Sequence, residues 1–481
     1  MITFIIGLAI LFVGGALYGK FCEKIFAPDD RQTPAIKLND GVDYVPMKKI
    51  KNSLIQLLNI AGTGPILGPI QGILFGPIAF ITIPIGCVIG GAFHDYMSGM
   101  ISVRNDGAQM PNLIGKYLGK YIHIIYNIFI AILMLLVGAV FIYTPGDLFV
   151  TQILQADSGI GNPVVWIVYG AIFAYYLIAT LFPIDKIIGR IYPIFGAILL
   201  ISAIGIFFGL FIKGYPLDEL WNIGAFGVHP KELHFVPIFF VTVACGIVSG
   251  FHSTQAALIS RTMTHEKEGR TTFYNMMIAE GFIAMIWAAA TMGVMNMGFA
   301  TADTSTTEVV GIVANNMLGT VGGIVAIIGV IILPITSGDT ALRSLRLMAS
   351  EALKIDQTKK RNRLLVSAVI FAIVAVLLVF SKSNPEGFNI LWRYFAWANQ
   401  TIAVFAFAMI AVYLMNLKKP FILSLLPGMF YMFVISSFIL NATIGFNLPW
   451  TISYIIAGAL TAIYCLAVYR RGKNIQGTID E

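Results

Sequence analysis

The sequence predicts an all-α polytopic membrane protein with about thirteen transmembrane helices, and three observations support this fold class. Hydrophobic residues make up 58% of the chain and charged residues only 11%, with a mean hydropathy of +0.83. That composition is far from a soluble globular domain. About thirteen stretches approach the ~20 apolar residues that span a bilayer. Glycine interrupts two of these stretches, which predicts two broken helices.

The predicted spans follow one another along the whole sequence. We expect the first to be a retained span rather than a signal peptide, because no basic residue precedes it and no small-residue cleavage site is evident. The spans are predicted at residues 2–18, 52–72, 78–102, 121–143, 163–181, 188–212, 236–258, 272–297, 319–343, 364–380, 388–415, 421–440 and 450–468, with ends placed to about 2–4 residues.

The basic residues indicate how the chain is oriented. The net charge is +7. The basic residues lie in alternate loops, as the positive-inside rule requires, so the charge does not indicate nucleic-acid binding. The rule places the N-terminus outside and the C-terminus in the cytoplasm. The basic segments are 20–51, 104–120, 186–190, 261–270, 343–363, 418–419 and 470–473. The intervening loops are predicted to hold Asp147, Asp157, Asp303 and Glu308.

The first interruption lies in residues 57–77, LLNIAGTGPILGPIQGILFGP. Gly62 and Gly64 allow unusual backbone conformations, and Thr63 can cap a helix. A helix that restarts at Pro65 would direct free N–H groups towards a substrate carboxylate. The alternative is a packing motif of small residues. Because broken helices at membrane depth are typical of binding sites in transporters, solute transport is the leading hypothesis.

The second interruption lies in residues 241–256, VTVACGIVSGFHSTQA. Gly246, Ser249 and Gly250 would form its substrate-binding backbone. His252 falls near mid-membrane and titrates closest to neutral pH, so it could bind substrate or carry a coupling proton. The alternative is a neutral histidine that hydrogen-bonds a neighbouring helix.

A third polar group lies in PITSGDTALRS, residues 334–344. An acid within a span is costly unless paired, hydrated or protonated, which makes Asp339 a candidate for ion coupling. Thr336 and Ser337 could add hydroxyl ligands for Na⁺ by analogy with sodium-coupled inverted-repeat transporters. The alternative is that Asp339 pairs with Arg343, one helical turn away.

Further polar residues lie in other spans. Glu280 is deep and could carry a proton or hydrogen-bond a neighbouring helix. Asp95 could take part in coupling, and whether it and His94 gate the pathway or merely pair stays open. A surface ion pair with Arg104 is the alternative for Asp95. Asn399 supplies hydrogen bonds that suit either a small polar solute or helix packing.

The topology predicts two inverted repeats. Residues 52–213 and 236–415 each hold about five spans, and an odd number makes the second unit enter the membrane in the opposite sense. This is the LeuT-like architecture of the amino acid–polyamine–cation class. Residues 1–51 would form an N-terminal helix peripheral to the repeats and a cytoplasmic loop. Residues 420–481 would add two accessory helices and a cytoplasmic tail.

Several motifs occur in an order that resembles one known family. They are NIAGTGPILGP at 59–69, FHDYMSGMISVRNDG at 93–107, ACGIVSGFH at 244–252 and LW-x-x-F-x-x-x-NQ at 391–400. Over nearly its whole length the chain resembles the carbon starvation (CstA) family. This resemblance implies a secondary transporter of the bacterial inner membrane, linked to uptake of peptides or pyruvate during nutrient limitation.

The missing motifs limit the other functional classes. The sequence has no nucleotide-binding glycine loop, no HExxH and no GxSxG, so we predict neither ATP-driven transport nor an enzyme. The scattered cysteines Cys22, Cys87, Cys245 and Cys465 suit neither a disulfide nor a metal site. We predict no cofactor and, apart from Na⁺, no metal. The alternatives are a channel or nutrient sensor and, less favoured, an intramembrane enzyme that uses His94 and Asp95 or His252. The coupling ion is either H⁺ or Na⁺.

Overall fold

The fold is built from α-helices in a computed structural model that describes residues 1–41, 43–181, 185–223, 229–356, 359–384 and 386–477. Side chains in 180–193, which include the predicted basic segment 186–190, lie outside this description, as do those of 351–352. We number the helices α1 Ile2–Phe26, α2 Lys49–Ile60, α3 Gly64–Phe75, α4 Ala79–Arg104, α5 Lys120–Ile153, α6 Pro163–Leu181, α7 Asp185–Ile212, α8 Gly250–Ile259, α9 Glu266–Asn296, α10 Thr306–Ala352, α11 Lys360–Ser383, α12 Gly387–Asn416, α13 Ile422–Asn441 and α14 Trp450–Ile475. Shorter helices include Met110–Leu118 and the run Phe235–Phe239, Phe240–Thr242 and Ala244–Ile247.

Helix starts follow local sequence signals. At α6, Pro163 takes the first helical position and the Asn162 Oδ1 accepts a hydrogen bond from the Val164 N–H at 3.0 Å. At α10, the Ser305 Oγ accepts one from the Glu308 N–H at 3.3 Å. These side chains satisfy N–H groups that have no partner within the helix.

Helical structure is found at each predicted span. Fewer than thirteen helices of the described chain, however, are long and apolar enough to cross a membrane. In the described residues, 10 helices are long and apolar enough to cross a membrane, or up to 11 if the bent pair α2 and α3 counts as one. The chain is thus a multi-pass membrane protein. The predicted seventh span is divided into short helices before α8. Thirteen spans and the inverted repeat stay predictions.

The chain divides into two compact units. The first unit comprises residues 1–129, 218–285 and 396–481, and the second comprises 130–217 and 286–395. The first unit contains both interrupted segments. The repeat and accessory-helix boundaries predicted from the sequence also stay predictions.

Glycines of the first unit let the second interrupted segment pack closely on α3 and α4. A Cβ added at Gly72 would clash with Val243, and one added at Gly86 would clash with Ile247. At Gly91 it would clash with the Ile247 carbonyl. Small residues allow membrane helices to approach in this way. These glycines of α3 and α4 therefore allow the second interrupted segment to pack closely against both helices.

The second unit is organised around α10, which packs along α7. α10 is interrupted at Gly319, whose φ of 73° and ψ of 177° a residue with a Cβ rarely adopts. The predicted ninth span begins at this residue. Gly209 of α7 allows close packing, since a Cβ there would lie 2.7 Å from the Met317 carbonyl oxygen.

Candidate functional site

The first interruption is a sharp bend between two helices. α2 ends at Ile60, α3 begins at Gly64, and the two helices are bent by 48°. Pro65 is in the first turn of α3, as predicted. Thr63 does not cap the helix through its side chain. Its Oγ1 is instead buried without a hydrogen-bond partner among the described residues.

Other unsatisfied polar groups surround this bend in sequence. The Gln56 amide has no partner for either its nitrogen or its oxygen, and the Gln71 Nε2 also lacks one within the described chain. A Cβ at Gly62 would meet nothing within 4 Å, so open space adjoins the bend there. Buried polar groups in native proteins are normally hydrogen-bonded. The unpaired groups of this segment therefore suit a polar ligand or bound water.

The glycines predicted to bind substrate mostly serve close packing. A Cβ at Gly64 would clash with Cys245, so the two interruptions touch at this point. A Cβ at Gly246 would lie 2.8 Å from the Ala284 Cβ of α9. At Gly250 it would clash with the Asn399 carbonyl oxygen of α12. Of the predicted glycines, Gly62 is the one with space beside it.

The second interruption is extended backbone at Val248 and Ser249, with φ/ψ of −149°/124° and −129°/121°. Asn399 of α12 holds it in place. The Asn399 Oδ1 accepts hydrogen bonds from the Phe251 N–H at 2.8 Å and the Ser249 Oγ at 3.2 Å. The Asn399 Nδ2 donates to the Ser249 Oγ at 2.9 Å. Asn399, predicted to bind substrate, thus caps α8 from a distant helix in this conformation.

Four buried titratable side chains form a line across α4, α8 and α9. The His94 Nδ1 lies 2.8 Å from the Asp95 Oδ1, and the His252 Nδ1 lies 3.0 Å from the Asp95 Oδ2. The His252 Nε2 lies 3.4 Å from the Glu280 Oε2. Each of these side chains is at most 1% exposed. We call His94, Asp95, His252 and Glu280 the charged cluster.

The structure brings together three residues that the sequence treated separately. Asp95 does not form a surface pair with Arg104; its carboxylate is shared by two histidines. Arg104 instead donates to Glu266, from Nε at 3.1 Å. No spacing rule could have found this cluster, because Asp95 and His252 are 157 positions apart.

Asp339 of α10 belongs to the second unit and pairs with Arg343. The Arg343 Nη2 lies 3.2 Å from the Asp339 Oδ2 and 3.1 Å from the Ala179 carbonyl oxygen. The Thr336 Oγ1 donates to the Leu333 carbonyl at 2.8 Å within its own helix. Ser337 lies on the same helix. The predicted alternative, an ion pair one turn apart, is present.

A second buried ion pair was missed by the sequence analysis. Asp147, predicted in a loop, lies within α5 and is 4% exposed. Its Oδ2 lies 2.7 Å from the Lys382 Nζ, and its Oδ1 accepts from the Tyr169 OH at 2.6 Å. The Lys382 ammonium also stands over the Tyr143 ring, 4.5 Å from its centroid. The sequence did contain a hint of this pair. Lys382 lies just after the predicted span 364–380, where sequence alone would place a lysine at the membrane interface.

Metal ligation finds no support in the described residues, where no group of three or more His, Cys, Asp or Glu side chains is arranged to hold an ion. The fold nevertheless resembles that of a metal transporter. The crystal structure of an Eremococcus coleocola manganese transporter covers 91% of this chain and 99% of its own, with a TM-score of 0.58 and 10% identity. This similarity concerns the fold alone.

Known sequences give a closer relationship. An uncharacterized membrane protein of Haemophilus influenzae is 43% identical over 331 residues, 60% of this chain and 89% of its own length. The Helicobacter pylori peptide transporter CstA is 26% identical over 60% of this chain and 50% of its own. The Escherichia coli peptide transporter CstA is 25% identical over 56% of this chain and 46% of its own length.

The chain thus spans about half the length of the named peptide transporters that it matches. These relatives are named as peptide transporters, in agreement with the prediction of no enzymatic activity. The family model described as carbon starvation protein CstA matches residues 1–179, 162–318 and 287–437. The chain therefore belongs to the carbon starvation protein CstA family.

Proposed function

We propose that this chain is an ion-coupled secondary transporter of the bacterial inner membrane. It would import a small carboxylate-bearing nutrient, pyruvate or a short peptide, in response to carbon starvation. The observation that carries this proposal is the contact between two interrupted membrane segments beside a buried charged cluster. The relatives named as peptide transporters support the substrate class.

The first interruption is the proposed carboxylate site. Pro65 has no N–H group, and the Ile66 and Leu67 N–H groups donate to the Thr63 carbonyl. The N–H groups of Thr63 and Gly64, together with the positive end of the helix dipole, would therefore favour an anion there. The unpaired Thr63 Oγ1 supplies an additional donor, and the open space at Gly62 admits the ligand. Many helices begin without binding an anion. The start of α3 differs in having the buried, unpaired Thr63 hydroxyl beside it.

Between the two substrates, the geometry favours a small monocarboxylate. A peptide also presents an ammonium group, which needs a deep acid as its partner. Asp339 already pairs with Arg343, and Glu280 adjoins His252. We therefore propose pyruvate, or an acid of similar size, as the principal substrate.

The charged cluster is the proposed carrier of a coupling proton. If the His252 Nδ1–H donates to Asp95, the His252 Nε2 presents only a lone pair to Glu280. A lone pair and a carboxylate repel each other unless one proton lies between them. An ionised Glu280 without hydrogen bonds would also be costly at this burial. The His252–Glu280 pair would thus take up and release one proton.

The remaining groups near Glu280 are not competing carriers. Two buried thiols are the groups concerned: Cys87, whose sulfur packs against Gly281, the residue after Glu280, and Cys245. Cys87 donates through Sγ to the Met277 carbonyl, and the Asn399 Nδ2 lies 3.5 Å from the Cys245 Sγ. For Na⁺, the alternative ligand Thr336 is engaged with its own helix. These contacts favour proton coupling.

Uptake by proteoliposomes tests the proposal. Labelled pyruvate and a labelled dipeptide would be offered under separately imposed proton and sodium gradients. We expect concentrative pyruvate uptake under the proton gradient. Glu280→Gln should abolish concentration but retain exchange between equal pools, because exchange requires no net proton movement. Glu308→Gln, the same change at an exposed acid, should behave as wild type.

Other outcomes would contradict parts of the proposal. Flux that is only downhill would indicate a channel, and chemical conversion of the solute would indicate an enzyme. Concentration driven by sodium alone would contradict the role of the charged cluster. Uptake of the dipeptide but not of pyruvate would contradict the proposed substrate and leave coupling testable by the same variants.

A further inference from the structure

An apolar groove with a volume of about 480 Å³ lies in the first unit, lined by Leu118 and by residues of α5, α12, α13 and α14. On α12 its lining extends from Trp397 to Ala408. That separation corresponds to ~16 Å of helix. It is about half of the ~30 Å hydrocarbon thickness of a bilayer. The groove is therefore long enough for a large part of one acyl chain.

The wall of the groove offers few polar atoms to an occupant. The Trp397 Nε1 donates to the Ile435 carbonyl at 3.0 Å. The Thr401 Oγ1 donates to the Trp397 carbonyl at 2.8 Å, and the Tyr464 OH to the Val404 carbonyl at 3.1 Å. Because these donors are already engaged with backbone, the occupant must be mainly apolar where it touches them.

One end of the groove is different, because Arg471 lines it. The Arg471 Nε donates to the Tyr117 carbonyl at 2.9 Å, which fixes the guanidinium at this position. A guanidinium has further N–H donors on its two Nη atoms. No carboxylate of the described residues lies within ion-pair distance of Arg471. Arg470 and Lys473, both exposed, add positive charge on the same helix.

We propose that the groove binds one anionic phospholipid from the leaflet on the Arg471 side. An acyl chain occupies the apolar wall, and the phosphate accepts hydrogen bonds from the Arg471 Nη groups. Charge complementarity selects this occupant, since basic pockets between transmembrane helices hold anionic head groups. The lipid lies outside the interruptions and the charged cluster, so it is a separate binding site.

Native mass spectrometry of the purified full-length protein tests this site. Phosphatidylglycerol and phosphatidylethanolamine would be added in equal amounts. We expect several-fold higher retention of phosphatidylglycerol, and Arg471→Gln should reduce it to the level of phosphatidylethanolamine. Arg470→Gln removes an exposed neighbouring charge and should leave the preference intact. Ala467→Trp, at an exposed position of the lining, should lower retention of both lipids.

Three results would overturn the proposal. The first is equal retention of both lipids by the wild type. The second is an equal loss in the Arg470→Gln and Arg471→Gln variants, since general surface charge would then explain the preference. The third is a lipid-free dimer that Ala467→Trp dissociates, which would assign the groove to a second copy of the chain.

Discussion

At the scale of single residues, the cost of buried charge explains most of the candidate site. Asp95, His252 and Glu280 are each predicted from the sequence because an ionisable residue within a span is costly without a function. Their contact could not be predicted, since helix periodicity links only residues a few positions apart. The unpaired state of the Thr63 hydroxyl could not be predicted either, because the sequence predicts that this hydroxyl caps α3.

The Asp339–Arg343 pair gives the first prediction. If the pair is a structural lock, Asp339→Asn should destabilise the protein, because breaking a buried pair costs about 3–5 kcal/mol. The partly exposed Arg343 should reduce that cost. The double variant Asp339→Asn with Arg343→Gln should recover much of the stability and uptake. Thermal unfolding and uptake would be measured on all three variants.

Failure of that rescue would favour the coupling role. An Asp339→Asn protein that folds normally, keeps substrate exchange and no longer responds to a gradient is the contrary result. Loss of the sodium response alone would point to Thr336 and Ser337 as ligands. The proton route through Glu280 would then need to be abandoned.

At the scale of elements, both interruptions are predicted from glycine, with proline in the first, but their packing is not predicted. The sequence predicts an interruption with a helix that restarts at Pro65, and the structure places the break between Ile60 and Gly64. The sequence does not show which glycine faces open space. Gly62 and Gly64 differ because Gly64 meets Cys245 on the other interrupted segment. That contact depends on tertiary structure, which no local pattern encodes.

The second prediction compares leucine at these two glycines. Gly62→Leu should abolish uptake with little loss of stability, because its side chain enters open space next to the proposed carboxylate site. Gly64→Leu should lose uptake and also stability, by about 1–3 kcal/mol, since it overpacks against Cys245. Uptake and thermal unfolding in the same detergent would distinguish the two effects.

Gly458→Leu is the matched control, because Gly458 of α14 also has nothing within 4 Å of an added Cβ. It should retain both uptake and stability. Normal uptake by Gly62→Leu would remove the first interruption from the substrate pathway. Normal stability of Gly64→Leu would show that the two segments separate more readily than their contact implies.

At the scale of the whole molecule, composition predicts a helical membrane protein, and the motifs at 59–69 and 244–252 predict its family. The number of spans is harder to predict. Residues 236–258 are apolar enough to read as one helix, yet the structure divides them into short helices. High hydropathy indicates that a segment lies in an apolar environment, and both lipid and the protein interior are apolar. Hydropathy alone therefore cannot show whether such a segment is one membrane-spanning helix.

The third prediction concerns orientation. Ser305, exposed before α10, should lie outside the cell, and Lys48, exposed before α2, should lie in the cytoplasm. In a Cys465→Ser background, Ser305→Cys should react with an impermeant thiol reagent in intact cells. Lys48→Cys should react only after permeabilisation. The other cysteines are buried, which keeps the background low.

The reverse labelling pattern would invert the topology and undo the inverted-repeat hypothesis. Labelling of both positions in intact cells would mean that an even number of crossings separates them, instead of the predicted seven. Neither result would affect the family relationship, which rests on sequence similarity.

The cap that Asn399 places on α8 has a consequence for how motion could be observed. The Phe251 N–H is held by a side chain from α12 rather than by its own segment. Its exchange with deuterium is therefore slow only while α12 is docked. Deuterium uptake at this amide would report the docking of α12 directly, without a label or a known substrate.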